Sequence, residues 1–167
     1  MKKLTLIRHA KSSWADFSLA DEDRPLNKRG QRDAPFMADL MLKKGWLPEL
    51  FVCSTAKRAQ STCAIFIEKI PSEKNIKIIS NRDVYMASIS QLLTIIESLP
   101  NEINHIALVG HNPGFTNLAN YFINNGYLDN LPTCGIVEIE GADIKKWADF
   151  DHNTAVVKEV HFPKKYQ

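Results

Sequence analysis

The 167-residue sequence has no long apolar run, only three cysteines and a formal net charge of just +2, and each shortage removes a class of protein. No stretch approaches the roughly 20 consecutive apolar residues of a membrane-spanning helix. At the N-terminus, MKKLTLIRH, the apolar part is only LTLI, well short of the roughly 7–15 apolar residues of an export signal. The reading is therefore a cytoplasmic protein with no membrane partner. Cys53, Cys63 and Cys134 are odd in number and lack CxxC spacing, which removes a disulfide framework and a thiolate metal cluster. The small charge gives no ground for nucleic acid as a partner. Repeats, low-complexity tracts and Gly/Ser linkers are absent, so residues 1–167 read as a single domain. No exposed apolar heptad or stripe is apparent, and monomer is the default.

What is present is an alternation of short apolar strands with amphipathic helices. KLTLIR, ELFVCS, IKIIS and HIALVG read as four strands. Between them lie a helix carrying Met37, Leu40 and Met41, with Pro35 expected to kink or restart it, and a second carrying Ala56, Ala59, Cys63, Phe66 or Ile67, and Ile70. SISQLLTIIESLP reads as a helix with Leu92, Leu93, Ile96 and Leu99 inward, and Phe115, Leu118, Ala119, Phe122 and Ile123 mark another. GIVEIEG and part of AVVKEVHF alternate apolar with polar residues, as antiparallel strands with one face less buried do. Together these predict an α/β fold, a mostly parallel central sheet covered on both faces.

In such sheets ligands collect at the carboxyl ends of the strands. The first strand ends in Arg8 and His9. The second ends in Ser54 and Thr55, with Arg58 on the first turn of the following helix, and the fourth ends in Gly110, His111 and Asn112. Each residue alone has a structural explanation: an arginine pairs with a surface carboxylate, Asn112–Pro113 opens a helix, and Ser54 or Thr55 caps one. Their arrival at one sheet edge is what those explanations leave over. Two guanidiniums and two imidazoles with few carboxylates near them form an anion pocket, and arginine's planar fork matches phosphate. Helix starts after Ser54 and Asn112 would add free N–H groups. Zinc fits poorly, because the arginines repel it and no ligand set accompanies the histidines. With phosphate in place, a neutral His9 can act as nucleophile, while the arginines and a protonated His111 neutralise the transferring phosphoryl group, with no metal or other cofactor.

Arg8–His9–Ala10, STAKRAQST around Arg58 and GHNPG around His111 resemble the signature of the histidine phosphatase superfamily. RHAKSSW, DRPLNKRGQRDAP and GHNPG are similar to its small SixA-type phosphohistidine phosphatase branch, over roughly residues 3–125 and more loosely at PTCGIVEIE. The resemblance implies a three-layer α/β/α fold, His9 as the phosphorylated nucleophile, and Arg8, Arg58 and His111 as the rest of the phosphate pocket. Mutase-like members carry Arg-His-Gly-Glu and then Trp-Asn, whereas this chain has Ala10, Lys11 and Ala15, which argues against a mutase.

Larger members also use an acid after the second arginine. The residue at that distance is Asp83, for which a turn aspartate is an equal reading. Without an acid, the favoured substrate is one whose leaving group departs readily once protonated, as in phosphohistidine. Ser12 and Ser13 are candidate phosphate donors, Asn112 a further phosphate ligand, and Lys11, Trp14, Asn27 and Tyr85 candidate rim residues. The expectation is a phosphatase acting on phosphohistidine in a protein. Two alternatives are a broad small-molecule phosphomonoesterase and a non-catalytic phosphoprotein-binding module.

Overall fold

A computed structural model describes residues 1–167. Four strands, β1 (Lys2–Arg8), β2 (Leu50–Cys53), β3 (Lys77–Ser80) and β4 (His105–Gly110), run parallel, and β5 (Ile136–Gly141) and β6 (Val156–His161) are antiparallel to their neighbours. The spatial order β3-β2-β4-β1-β5-β6 places β1 and β4 side by side at the centre. Successive residues of a strand face opposite ways, and the core divides accordingly. Leu4, Leu6, Ile106 and Leu108 pack on one face against helices α3 (Ile89–Glu97) and α4 (Gly114–Phe122). Ile7, Ala107 and Val109 pack on the other against α1 (Lys28–Lys43) and α2 (Lys57–Lys69). This is the expected three-layer α/β/α sandwich, completed by the short terminal helix α5 (Pro163–Tyr166). No helix is long and apolar enough to cross a membrane.

Helix α1 departs from expectation. It runs unbroken through Pro35 from a cap at Asn27, whose side chain accepts from Gly30 N at 2.9 Å. Proline removes one intrahelical donor, but the helix buries Gly30 and Ala34 before Pro35 and Met37, Ala38 and Met41 after it. Packing on both sides therefore holds the two halves in one line. In α3 the expected inward set is joined by Ile95, while Leu93 is only half-buried.

Several contacts fix the chain just after β1. Asn27 N donates to Lys11 O, Ser13 N donates to Pro25 O, and Ser12 bridges to Leu26. Gly30 lies so close that a Cβ there would sit 2.2 Å from Lys11 O. From the other side, the Thr62 hydroxyl of α2 accepts from Ala10 N at 3.0 Å and donates to Arg58 O at 2.7 Å. Thr62 thus joins the segments that carry His9 and Arg58. Thr62→Val keeps the shape but leaves the buried Ala10 N–H without an acceptor, and urea denaturation should show a loss of about 1–3 kcal/mol.

Candidate active site

His9 follows β1 directly. Its backbone N donates to Gly110 O and its backbone O accepts from Cys134 N, so it is held from β4 on one side and from the turn before β5 on the other. The ring Nδ1 lies 2.7 Å from Ala10 O. A carbonyl can only accept, so Nδ1 carries the proton and Nε2 is left with its lone pair. Burial, reinforced by Arg58, Arg8 and Arg24, outweighs the Ala10 contact and pulls the imidazole down to about 4. His9 is neutral, with Nε2 in the nucleophilic form.

His111 packs against it, ring centroids 5.1 Å apart. Its Nε2 is 2.6 Å from Ser54 Oγ, which also accepts from Ala56 N. The serine proton has no other acceptor, so it goes to Nε2, which puts the His111 ring proton on Nδ1. Burial, then His9 and Arg58, drives His111 down to about 3. In the free site His111 is therefore a neutral donor, because buried surroundings already rich in guanidinium penalise another cation; the expected protonated form belongs to the phosphate-bound site, where an anion favours it. Ser54 and Thr55 do not cap α2 either. The cap position is Ala56, and Thr55 donates instead to Glu22 at 2.9 Å.

Arg8 reaches Leu131 O at 2.8 Å, and burial lowers the pKa of its guanidinium. Arg58, only 2% exposed, spans Asp21 through its backbone O at 2.7 Å and its carboxylate at 2.9 Å. Three buried side-chain atoms have no partner, namely Arg8 Nε, Arg58 Nε and His111 Nδ1. All three belong to residues lining one cleft of about 360 Å³ that His9 also lines. Unpaired buried donors are costly, and a tetrahedral oxyanion is the ligand with enough acceptors to satisfy them. A larger cleft of about 890 Å³ lies at the opposite ends of the strands, beside Lys3 and His105. No unpartnered buried side-chain donor or acceptor lines it, so the smaller cleft, not the larger, has groups that call for a ligand.

The cleft holds two residues that the sequence alone did not single out. Asp21 and Arg24 both line it, and the few carboxylates expected there come down to one, Asp21. Asp21 Oδ2 accepts from Arg58 and from the Tyr85 hydroxyl, and Oδ1 accepts from Arg24 Nε at 3.2 Å. Burial pushes this carboxyl up, but the Tyr85 and Arg58 hydrogen bonds and the charge of Arg58 prevail and hold it at about 2. Arg24 donates to Ser12 Oγ at 2.7 Å and stacks over Trp14, 3.6 Å from its centroid.

The remaining candidates divide. Lys11 and Trp14 line the cleft, and Tyr85 reaches it edge-on, 5.4 Å from His111. Asp83 does not. It sits in a tight turn after β3 and opens onto a separate depression with Gln91 and Thr94, so its expected role as acid is withdrawn. Ser13 is displaced by Ser12, since the strand-like pairing with Leu26 turns adjacent side chains to opposite sides. Asn27 is committed to capping α1. Asn112 borders the cleft, but both its amide protons go to Asn130 and Leu131 and its oxygen accepts from Thr116, so it has no donor left for an anion.

The family model of the histidine phosphatase superfamily (branch 1) matches residues 4–83. An uncharacterized chloroplastic protein of Arabidopsis thaliana is 33% identical over 140 residues, and the alignment covers 80% of this chain but only 63% of that protein. The SixA structure from Agrobacterium tumefaciens superimposes with a TM-score of 0.81 at 26% identity, covering 97% of this chain and 98% of that one. The protein histidine phosphatase SixA complexed with tungstate gives 0.79 at 15% identity, with 99% of each chain covered, a likeness of fold. Residues 4–83 thus match the histidine phosphatase superfamily, and over nearly its whole length the chain shares the fold of a SixA protein.

The neutral histidines give a direct expectation. Followed by NMR, the ring protons of His9 and His111 should hold their neutral-form shifts as pH falls through 6.5, changing only toward about 4 and about 3. Both folded values lie below the unfolded one. Their contribution to stability is therefore full above about 6.5 and is lost as pH falls through the folded values.

Proposed function

We propose that this protein is a phosphatase of the histidine phosphatase superfamily, one that transfers a phosphoryl group to His9 and then to water, and that its substrate is phosphohistidine in a protein. The observation that carries the reading is the free Nε2 of a neutral His9, held in a cleft with unpartnered guanidinium donors. The substrate's phosphoryl oxygens take the places those donors call for. His9 Nε2 supplies the electron pair of a new N–P bond, and the bond to the leaving group breaks. Water then attacks phosphorus, the His9–phosphorus bond breaks, and inorganic phosphate departs. Arg8 and Arg58 carry the charge neutralisation in both steps, with His111 donating from Nδ1. The guanidiniums fill the role a metal would take.

Two things support the substrate class. SixA, which shares this fold, is described as a protein histidine phosphatase and binds tungstate, a tetrahedral oxyanion like phosphate. The mouth is also bordered by apolar side chains in solvent, Trp14 at 60% and Met86 at 53% exposed, with Phe17 at 91% on the adjoining loop. Such a rim suits another protein surface better than a small polar metabolite. On the same reading, residues 1–167 form one catalytic domain that works as a monomer in the cytoplasm.

Turnover of a histidine-phosphorylated protein should exceed that of sugar phosphates by about tenfold or more in kcat/KM. The reverse order would favour the small-molecule reading, and phosphopeptide binding without turnover would favour the binding module. Asp83→Asn should leave kcat and KM unchanged, whereas Arg58→Ala should lower kcat/KM by about 100-fold or more.

A further inference from the structure

An anion pocket that holds a carboxylate invites a physical explanation. Asp21 lines the cleft together with His9, Arg58 and His111. Oδ2 is occupied by Arg58 and Tyr85, but Oδ1 takes only Arg24 Nε at 3.2 Å. An ionised carboxylate oxygen has room for more than one donor, and the side chain is 44% exposed. Oδ1 is therefore an acceptor with capacity to spare, on a residue that lines a site rich in donors. Holding Arg58 in place accounts for Oδ2 and for the backbone oxygen. It does not account for Oδ1.

We propose that Asp21 selects the leaving group, accepting a hydrogen bond from the protonated far nitrogen of a phosphorylated imidazole and so favouring phosphohistidine over phosphate esters. The inference rests on the phosphatase reading of this cleft and adds a specificity-determining residue to it. In the transfer, His9 Nε2 gives an electron pair to phosphorus, and the pair of the breaking P–N bond returns to the substrate ring nitrogen. If the other ring nitrogen holds a proton, the ring leaves as neutral imidazole and no acid is needed. Without that proton it would have to leave as an anion beside a carboxylate. An ester has the same difficulty, since its oxygen leaves with negative charge. Asp21 cannot relieve it, being ionised down to about 2 with no proton to give. No other carboxylate lines the cleft. The negative charge of Asp21 thus stabilises a protonated ring and disfavours an oxyanion, which separates the two substrate classes by sign.

The test compares kcat/KM for a histidine-phosphorylated protein with that for p-nitrophenyl phosphate, at about pH 8, where the free phosphoimidazole ring is mostly unprotonated. In Asp21→Asn the ratio of the two should fall by about tenfold, the worth of one charge-assisted hydrogen bond. The turn Asp21–Asp23 buries no residue, so the core is not disturbed, and Asp21→Ser should move the ratio the same way. Competitive inhibition by inorganic phosphate reports whether Arg58 has shifted. A loss of phosphate affinity lowers both activities and leaves the ratio to decide. A ratio that is unchanged or raised in both variants overturns the proposal and reduces Asp21 to an anchor for Arg58. A wild-type enzyme that hydrolyses p-nitrophenyl phosphate but not phosphohistidine overturns the substrate reading and this inference with it. That outcome is read from the wild type alone, so the two failures are distinguishable.

Discussion

Two guanidinium groups buried with their Nε atoms unpartnered are the constraint on which the rest of this structure depends. Arginine stays charged under all ordinary conditions, so the fold has to hold two cations together and keep them from collapsing onto the nearest acceptors. Arg8 is tied to a single carbonyl, Leu131 O, and Arg58 to the two oxygens of Asp21. Each keeps its buried Nε donor in reserve. The positive field they create, added to burial, also keeps His9 and His111 neutral. The same charges that attract a phosphoryl group therefore keep the nucleophile deprotonated.

The sheet makes this possible because β1 and β4 are adjacent and parallel, so Arg8, His9 and His111 emerge at the same level. A parallel neighbour, β2, brings α2 and Arg58 to the same edge. Links between chain segments then fix the site more finely than the strands could. Thr62 joins the Ala10 amide to Arg58, and the 25–27 stretch runs beside residues 11–13. The turn carrying Asp21 and Glu22 buries nothing apolar and is held by Arg58, Tyr85, Thr55 and Arg82. It covers one wall of the cleft through polar contacts alone, and its position depends on the charges that also define the site.

Strand ends were the legible part of the sequence. Arg8, His9, Arg58 and His111 could be found because apolar runs locate strands, and the carboxyl edge of a parallel sheet then gathers whatever follows. Residues in the long loop after β1 had no such guide. Asp21 and Arg24 stand in ADEDRPLNKRG, a charged loop in which no pattern marks one residue over another, and only the folded chain brings Asp21 and Arg24 to the cleft. Asp83 misled for the converse reason. Its distance along the chain suits an acid, but the tight turn that holds it directs it to another surface. Lys2 is a third case. A lysine next to the N-terminus ordinarily lies in water, yet this one is buried, with its ammonium on Asn101 O, Ile103 O and Asn104 Oδ1.

The central claim is that His9 carries the phosphoryl group. Wild type and His9→Ala would each be mixed with a radiolabelled phosphoramidate, quenched, and tested for protein-bound label in acid and in alkali. The account predicts label on wild type alone, lost in acid and kept in alkali, as for a phosphohistidine. Equal labelling of the two proteins, or phosphate release that persists in His9→Ala, would contradict it.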